Sequence, residues 1–496
     1  MMDSKRIILF TVLTAAFLSG ADLRINAANT GGFWVFTDTA LQYKEHFEDK
    51  LKLNATYGDL TLRSVFFTWF PSLPASLVES LTYVDYTVAY RKTPVSIQYG
   101  RYYTTFGRGM CLNQYLDEDF RVDNSLSGVK AEIEMFKSKF TMLMGKPRNI
   151  FFEENKYKIK NDMADQIGGV NLDIGLIPKT ALGGRYVRIN TRNDLEPGAF
   201  TELYGGNLGT SLGPFDVYGE YARQMGCYPV YGGRLSGSGL LFTGGFSIPR
   251  LGIMGQYMDF DSLGFPYGAT YRYNEPPNPI KAGIGVTRGV DEKGFGGTMT
   301  FTPIDLLNGE VSHNRLYTHD KNAGVYETVG KLIGHPNDRM EILAQTEYII
   351  RDKIEAISIG NQIVFYKKQE LKPMLDLTYD LGEFYVEASY EMGRYNVIAY
   401  VKGTYTDYDV SVAIGKPEFM VLTMKYGWRD RTPEWLVEKI TREKSWPLVE
   451  LSWDISNRHN LRILAGAMRG GVICTGGVCR FEVPFKGIRV TMTSLF

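Results

Sequence analysis

Three groups of residues have the types and spacing for chemistry. Gly209-Thr210-Ser211-Leu212-Gly213 has the G-x-S-x-G spacing of a hydrolase nucleophile elbow. That elbow needs a strand before the serine and a helix after it. Strand-like segments lie on both sides of Ser211, so the expectation is a hairpin turn. The five histidines (His46, His313, His319, His335, His459) show no H-E-x-x-H and no paired spacing, so a metal hydrolase has no support. His313 and His319 are near enough in sequence to approach each other. Cys474-Thr475-Gly476-Gly477-Val478-Cys479 places two thiols around a Gly-Gly turn. In an oxidising compartment that loop can close as a disulfide if the β-carbons come within reach. A zinc site needs further ligands, and His459 is the only histidine in the region. Cys111 and Cys227 fall in expected loops, and their pairing stays open. No nucleotide-binding glycine motif opens a helix. No catalytic residue, cofactor or metal ligand is expected, and the chain is read as a non-enzyme.

The remaining chemistry is charge, and it repeats. In Val129-Lys130-Ala131-Glu132-Ile133-Glu134-Met135 the odd positions are apolar and every even one is charged. Phe215, Val217 and Tyr221 alternate with Asp216 and Glu220, and Val386, Ala388 and Tyr390 with Glu387 and Ser389. Tyr408, Val410, Val412 and Ile414 alternate with Asp407, Asp409 and Ser411. Val449 and Leu451 oppose Glu450, Leu461 and Ile463 oppose Arg462, and Ile488 and Val490 oppose Arg489. Residues two apart share one face of a strand, so each segment has one apolar and one charged side. Catalytic pairs do not recur around a wall, whereas the lining of a wet lumen does. The expected lumen-facing residues are Lys130, Glu132, Glu134, Asp216, Glu220, Glu387, Asp407, Asp409, Glu450, Arg462 and Arg489.

Elements must hold those faces. Short turns such as Lys137-Ser138, Gly213-Pro214, Asp380-Leu381-Gly382 and Gly415-Lys416-Pro417 separate the strands, and neighbours so joined are antiparallel hairpins. Lys5-Arg6, the uncharged run Ile7 to Leu18, then Ser19-Gly20-Ala21 read as a secretory signal peptide over residues 1–21. Of the two exported β-proteins that fit, a soluble sandwich and a membrane barrel, the barrel is favoured by three features. Its polar face is heavily charged. Strand ends carry Tyr83, Tyr86, Tyr90, Tyr99, Tyr102, Tyr103, Tyr257, Tyr366, Tyr379, Tyr400, Trp428 and Trp453, rings that suit the two membrane interfaces. The chain also ends on an alternating strand closed by Phe496, resembling the assembly signal of outer-membrane barrels.

The reading is therefore all-β: a single large antiparallel transmembrane barrel over residues 22–496, of roughly 20–26 strands. It would sit in the outer membrane of a Gram-negative cell, against outer-membrane lipid, delivered to the barrel assembly machinery through its C-terminal strand. Composition agrees. The 496 residues carry 55 Lys+Arg against 55 Asp+Glu, and a neutral chain has no electrostatic reason to bind nucleic acid. An apolar share of 44% excludes disorder. Segments without alternation are candidates for lumenal or extracellular insertions: Phe106 to Asn124, Arg148 to Asp165, the proline-rich Tyr271 to Lys281, and Asp430 to Trp446, whose Thr432-Pro433-Glu434 reads as a helix start. Passage of a polar solute is the first functional expectation. A plugged barrel scaffolding another envelope protein is the alternative.

Three segments carry a resemblance: Gly107-Arg108-Gly109-Met110 followed by Val122 to Val129; Tyr273-Asn274-Glu275-Pro276-Pro277; and Arg469 to Arg480 followed by Pro484-Phe485-Lys486-Gly487. In order and content the chain resembles a domain-of-unknown-function family of exported barrels from Bacteroidota-type Gram-negative bacteria. Cys111 is not part of that pattern. The resemblance implies a large outer-membrane barrel and no substrate.

Overall fold

The computed structural model describes residues 23–37, 45–71, 80–118, 122–153, 156–160, 165–191, 198–228, 233–263, 273–275, 277, 290–359, 362–398, 402–431, 444–469, 471–475, 478–482 and 485–496. The expected signal peptide lies outside them, as does most of the expected helix after Arg431.

Alternation becomes strand throughout the described residues. Twenty-four antiparallel strands, from Leu23–Phe36 to Phe485–Leu495, form one continuous wall. Two short ones, Leu116–Asp117 and Lys156–Lys160, extend it. The wall closes on itself: Leu23–Phe36 pairs both with Glu45–Tyr57 and with the last strand, in register from Ala28 opposite Leu495 to Phe36 opposite Gly487. Phe496 completes the seam, its N–H donating to the Ala27 carbonyl at 2.8 Å while its own carbonyl accepts from the Ala27 N–H at 3.1 Å. Closure is what lipid demands, because an open edge would leave a row of backbone donors and acceptors without partners in hydrocarbon.

Parity decides which way each side chain points. Val129, Ile133 and Met135 are exposed on one face of Val122–Met135, with Lys130 and Glu132 on the other. Phe215, Val217, Tyr221 and Met225 do the same on Phe215–Tyr228, and Val410, Val412 and Ile414 on Lys402–Lys416. So many large apolar residues exposed together are incompatible with a face in water; they form the band that meets lipid. Outward aromatic rings gather at Tyr408, Trp428 and Tyr426, with centroids 4.9 and 5.7 Å apart.

The two ends of the barrel differ. At one, tight turns reverse the chain, as at Gly58, Phe136-Lys137, Lys179 and Gly213, all at positive φ. At the other the connections are longer, and the chain between Val95–Tyr102 and Val122–Met135 leaves the wall and turns inward.

Two regions differ from expectation. Within Arg148 to Asp165 the described residues 148–153 and 156–160 are strand, not irregular loop: Ser138–Glu153 pairs with Lys156–Lys160, Asn149 opposite Lys160. Cys227 lies on the strand Phe215–Tyr228, not in a loop.

Candidate functional site: a latched segment inside the lumen

The departing chain makes a small hairpin, Thr104–Phe106 against Leu112–Gln114, whose tip is Gly107-Arg108-Gly109-Met110. Apolar residues explain why it turns inward. Phe106, Met110, Cys111 and Leu112 are fully buried and pack with Ile167, Val187, Leu203, Ala222, Leu241, Met258 and Phe260 of the surrounding strands in one core cluster. Burying a side chain such as Phe106, Met110 or Leu112 contributes on the order of 1.5–3 kcal/mol. The lumen thus holds a hydrophobic core where a wide open pore would hold water.

A second segment completes this core. The Tyr273 carbonyl accepts from the Asn113 N–H at 2.8 Å, the Glu275 N–H donates to the Gly109 carbonyl at 3.0 Å, and the Asn274 side-chain amide donates to the Met110 carbonyl at 2.8 Å. The Gly107–Met110 and Tyr273–Glu275 motifs, far apart in sequence, therefore interlock.

The tip docks on a buried ion pair. Arg185 Nη1 lies 2.8 Å from Glu220 Oε1, both side chains wholly inaccessible. The other carboxylate oxygen accepts the Arg108 backbone N–H at 2.9 Å and the Tyr218 hydroxyl. The Arg108 guanidinium sits 4.0 Å over the Tyr218 ring and donates to Thr243 Oγ1 at 3.2 Å, at the rim of a cavity of about 660 Å³ that also meets Asp216. Gly107 explains the motif. At φ 62° a β-carbon built there would land on the Arg185 guanidinium and the Glu220 carboxylate, so only glycine lets the backbone approach this closely.

The returning limb has its own anchor. Glu118 Oε1 lies 2.7 Å from both Lys50 Nζ and Lys52 Nζ. Burial raises this carboxyl, but the hydrogen bonds and charges of the two lysines outweigh it and hold it at about 2. Burial pushes the Cys111 thiol up to about 12, with Arg185 opposing and Glu220 adding to the shift. That thiol is therefore protonated and unreactive while the hairpin stays docked.

Of the residues expected to face the lumen, Glu220 is this docking carboxylate. Lys130 and Glu132 are 3.5 Å apart, and Lys139 bridges Glu132 at 3.2 Å and Glu134 at 3.4 Å. Asp407 is buried, held bidentately by Arg429 at 2.5 and 2.8 Å and also by Arg469, which reaches Asp409 at 3.6 Å. Arg462 pairs bidentately with Glu450, 2.6 Å for each bond. Arg489 stacks 4.8 Å over Trp34. Asp216 is exposed and Glu387 half-buried.

Other expectations need correction. Tyr102 and Tyr366 are buried, Tyr83 stacks on Phe67 with centroids 5.0 Å apart, and Tyr103 donates to Asp123 at 3.2 Å. Tyr83, Tyr102 and Tyr366 are not interface rings, because they turn inward and pack; Tyr103 lines an inner cavity and stays partly exposed. Cys111 and Cys227 are both free thiols. His313 meets Thr328 at 2.9 Å, whereas His319 bridges Asp259 and Asp291; the two histidines have separate partners. Ser211 ends the strand Phe200–Leu212 before the Gly213 turn. Cys474 and Cys479 stand opposite each other in the hairpin Gly471–Thr475 with Val478–Glu482, their side chains outside the described residues. Sequence reasoning missed Arg185, the partner of Glu220. The signal that pointed to it was two glycines flanking an arginine, a spacing that marks close backbone approach without naming what is approached.

Fold and outer face together define a closed antiparallel barrel of the outer-membrane type. Residues 75–277, a stretch that includes both interlocked motifs, match the family of unknown function DUF6029. Among solved structures, the siderophore receptor PirA from Pseudomonas aeruginosa is 8% identical with a TM-score of 0.50, over 95% of this chain and 80% of that one. A chain of the E. coli P pilus tip assembly intermediate PapC-PapD-PapK-PapG is 9% identical with a TM-score of 0.53, over 95% of this chain and 60% of that one. These likenesses are of fold. No curated protein matches.

Proposed function

We propose that this protein is an outer-membrane channel that passes a polar solute through a lumen gated by the inserted segment 103–118. The observation that carries the reading is the docking of the Gly107-Arg108 tip on the Arg185–Glu220 pair inside a closed wall. A core that existed only for stability would not need an arginine poised at a cavity rim or a glycine shaped to a single ion pair. The charged inner face, with Lys130, Glu132, Glu134, Asp216, Glu387, Asp407, Asp409, Glu450, Arg462 and Arg489, supplies a path of mixed sign and predicts weak ion selectivity. Residues 1–21 would direct export, Phe496 would present the closing strand to the assembly machinery, and Cys474 and Cys479 would form a local disulfide.

The test is planar-bilayer recording. The intact protein should show small or rare conductance steps, and replacing residues 104–117 with a short Gly-Ser linker should give large, steady ones. Equal silence from both proteins, each shown to be folded, removes the channel reading. The second reading, a plugged scaffold for another envelope protein, is favoured by the filled lumen. A stable stoichiometric partner recovered from detergent extracts, with no conductance from either protein, would establish it instead.

A further inference from the structure

Beneath the returning limb lies a cavity of about 570 Å³, against the wall near the closing seam. Arg101 shapes its chemistry. On Val95–Tyr102 the residues Ile97 and Tyr99 point outward, whereas Arg101, which follows Gly100 at φ 103°, lines the cavity. The residue is 9% exposed. Its Nε donates to Asp85 Oδ1 at 3.0 Å, but Nη1 and Nη2 are buried with no hydrogen-bond partner among the described residues. Burying two such donors unmatched is costly, and an arginine fork is shaped for a planar two-oxygen acceptor.

Three of the five acids that line this cavity, Asp85, Glu118 and Asp123, are held by neighbouring side chains. Asp85 is also held bidentately by Arg148 at 2.8 and 2.9 Å, Asp123 accepts from Tyr103, and Glu118 is held by Lys50 and Lys52. Arg63 also lines the cavity and has no ion-pair partner among the described residues. The floor is apolar and aromatic, with Phe67 stacked on Tyr83 and Trp34 beside them.

We propose that this cavity is a binding site for a small organic carboxylate carrying an apolar or aromatic group. The Arg101 fork and Arg63 take the carboxylate, and the Phe67–Tyr83 floor takes the ring. The proposal rests on the reading of the barrel as a solute channel and names the class of solute. Because segment 116–118 roofs the same cavity, a bound carboxylate would sit directly against the gate.

The experiment is calorimetric titration of the full-length protein in detergent with sodium benzoate, and separately with inorganic phosphate. Wild type should bind benzoate, and Arg101→Gln and Arg63→Gln should each weaken it about tenfold or more. Arg315→Gln, an exposed position on another strand, should leave it unchanged. Arg63→Gln breaks no ion pair, so it keeps the test sound if Arg101→Gln fails to fold; heat-modifiable gel mobility checks each variant. Absence of benzoate binding in wild type, undiminished binding in both folded variants, or phosphate binding as tightly as benzoate would each overturn the proposal. Since binding is measured without a membrane, a failed channel reading shows as silent bilayers with benzoate still bound. A failed site shows as the reverse.

Discussion

Substituting Gly107→Ala should release the gate. The added methyl group lands on a buried ion pair whose two side chains are wholly inaccessible. To admit it, either the hairpin withdraws or Arg185 separates from Glu220. Separating a buried pair costs about 3–5 kcal/mol because each charge is left uncompensated. Holding a non-glycine residue at φ 62° adds roughly 1 kcal/mol. A total of about 4–6 kcal/mol corresponds to a shift of roughly 10³–10⁴ in the docked-to-undocked ratio. The wall itself should persist, because none of its backbone pairing involves Gly107. Two assays read the outcome. In planar bilayers the variant should spend most of its time in a high-conductance state. In a background of Cys227→Ser, Cys474→Ser and Cys479→Ser, Cys111 should change from inert to readily alkylated, since docking is what buries its thiol. Gly58→Ala is the matched control: it sits at φ 52° with nothing within 4 Å of the added carbon, so it carries the backbone strain without the collision and should leave the gate shut. If Gly107→Ala stays closed with Cys111 protected, the ion pair is not what holds the segment and the reasoning fails.

Other consequences are measurable. Glu118 is held near 2 against an ordinary carboxyl value near 4.5, so its tether is fully present above about 4.5 and lost only as pH falls toward 2; conductance at pH 5 should match that at pH 7, and Glu118→Gln should raise open probability at both. The His319 imidazole is lowered by burial but raised more by its bonds to Asp291 and Asp259, a net upward shift. Its contribution is fully present below its unfolded value of about 6.5 and is lost as pH rises through the folded value; the slope of Tm against pH above 6.5 should flatten in His319→Gln. Removing Phe496 deletes two hydrogen bonds of the closing seam; heat-modifiable barrel in outer-membrane fractions should fall severalfold, while a purified barrel refolded in detergent should still form. Non-reducing mass spectrometry should find Cys474 and Cys479 two mass units lighter than as thiols; free thiols at both would remove the proposed disulfide.

Much of the wall was legible because alternation is local. Val129 to Met135 shows its two faces in seven residues, and Glu450 against Val449 and Leu451 does so in three. Failures came where that local signal is weak. Lys156, Lys158 and Lys160 look like a charged loop, yet they alternate with Tyr157 and Ile159 in a strand that runs past the last long pairing. Tyr83 and Tyr102 were misplaced because ring type was read without parity, and parity is what separates Tyr83 from the outward Val84. The inserted segment was visible only as a loss of alternation from Phe106 onward. Its docking could not be read, because the partners of Gly107 lie on strands roughly a hundred residues away and only tertiary packing brings them together. The candidate site was therefore half legible: Glu220 was named for its face, Arg185 and Arg101 were not.

The inserted stretch belongs to the chain's interior, and both its stems join strands that are themselves bonded side by side, Tyr102 opposite Leu126. A cork of that kind has no free end to be drawn out by. As the proposed gate it would swing, like a tongue on a hinge, and the staves of the cask would keep their number and circumference whether it lay across the bore or folded away. Such an opening would require no rebuilding of the perimeter, only the exchange of one set of inner contacts for water.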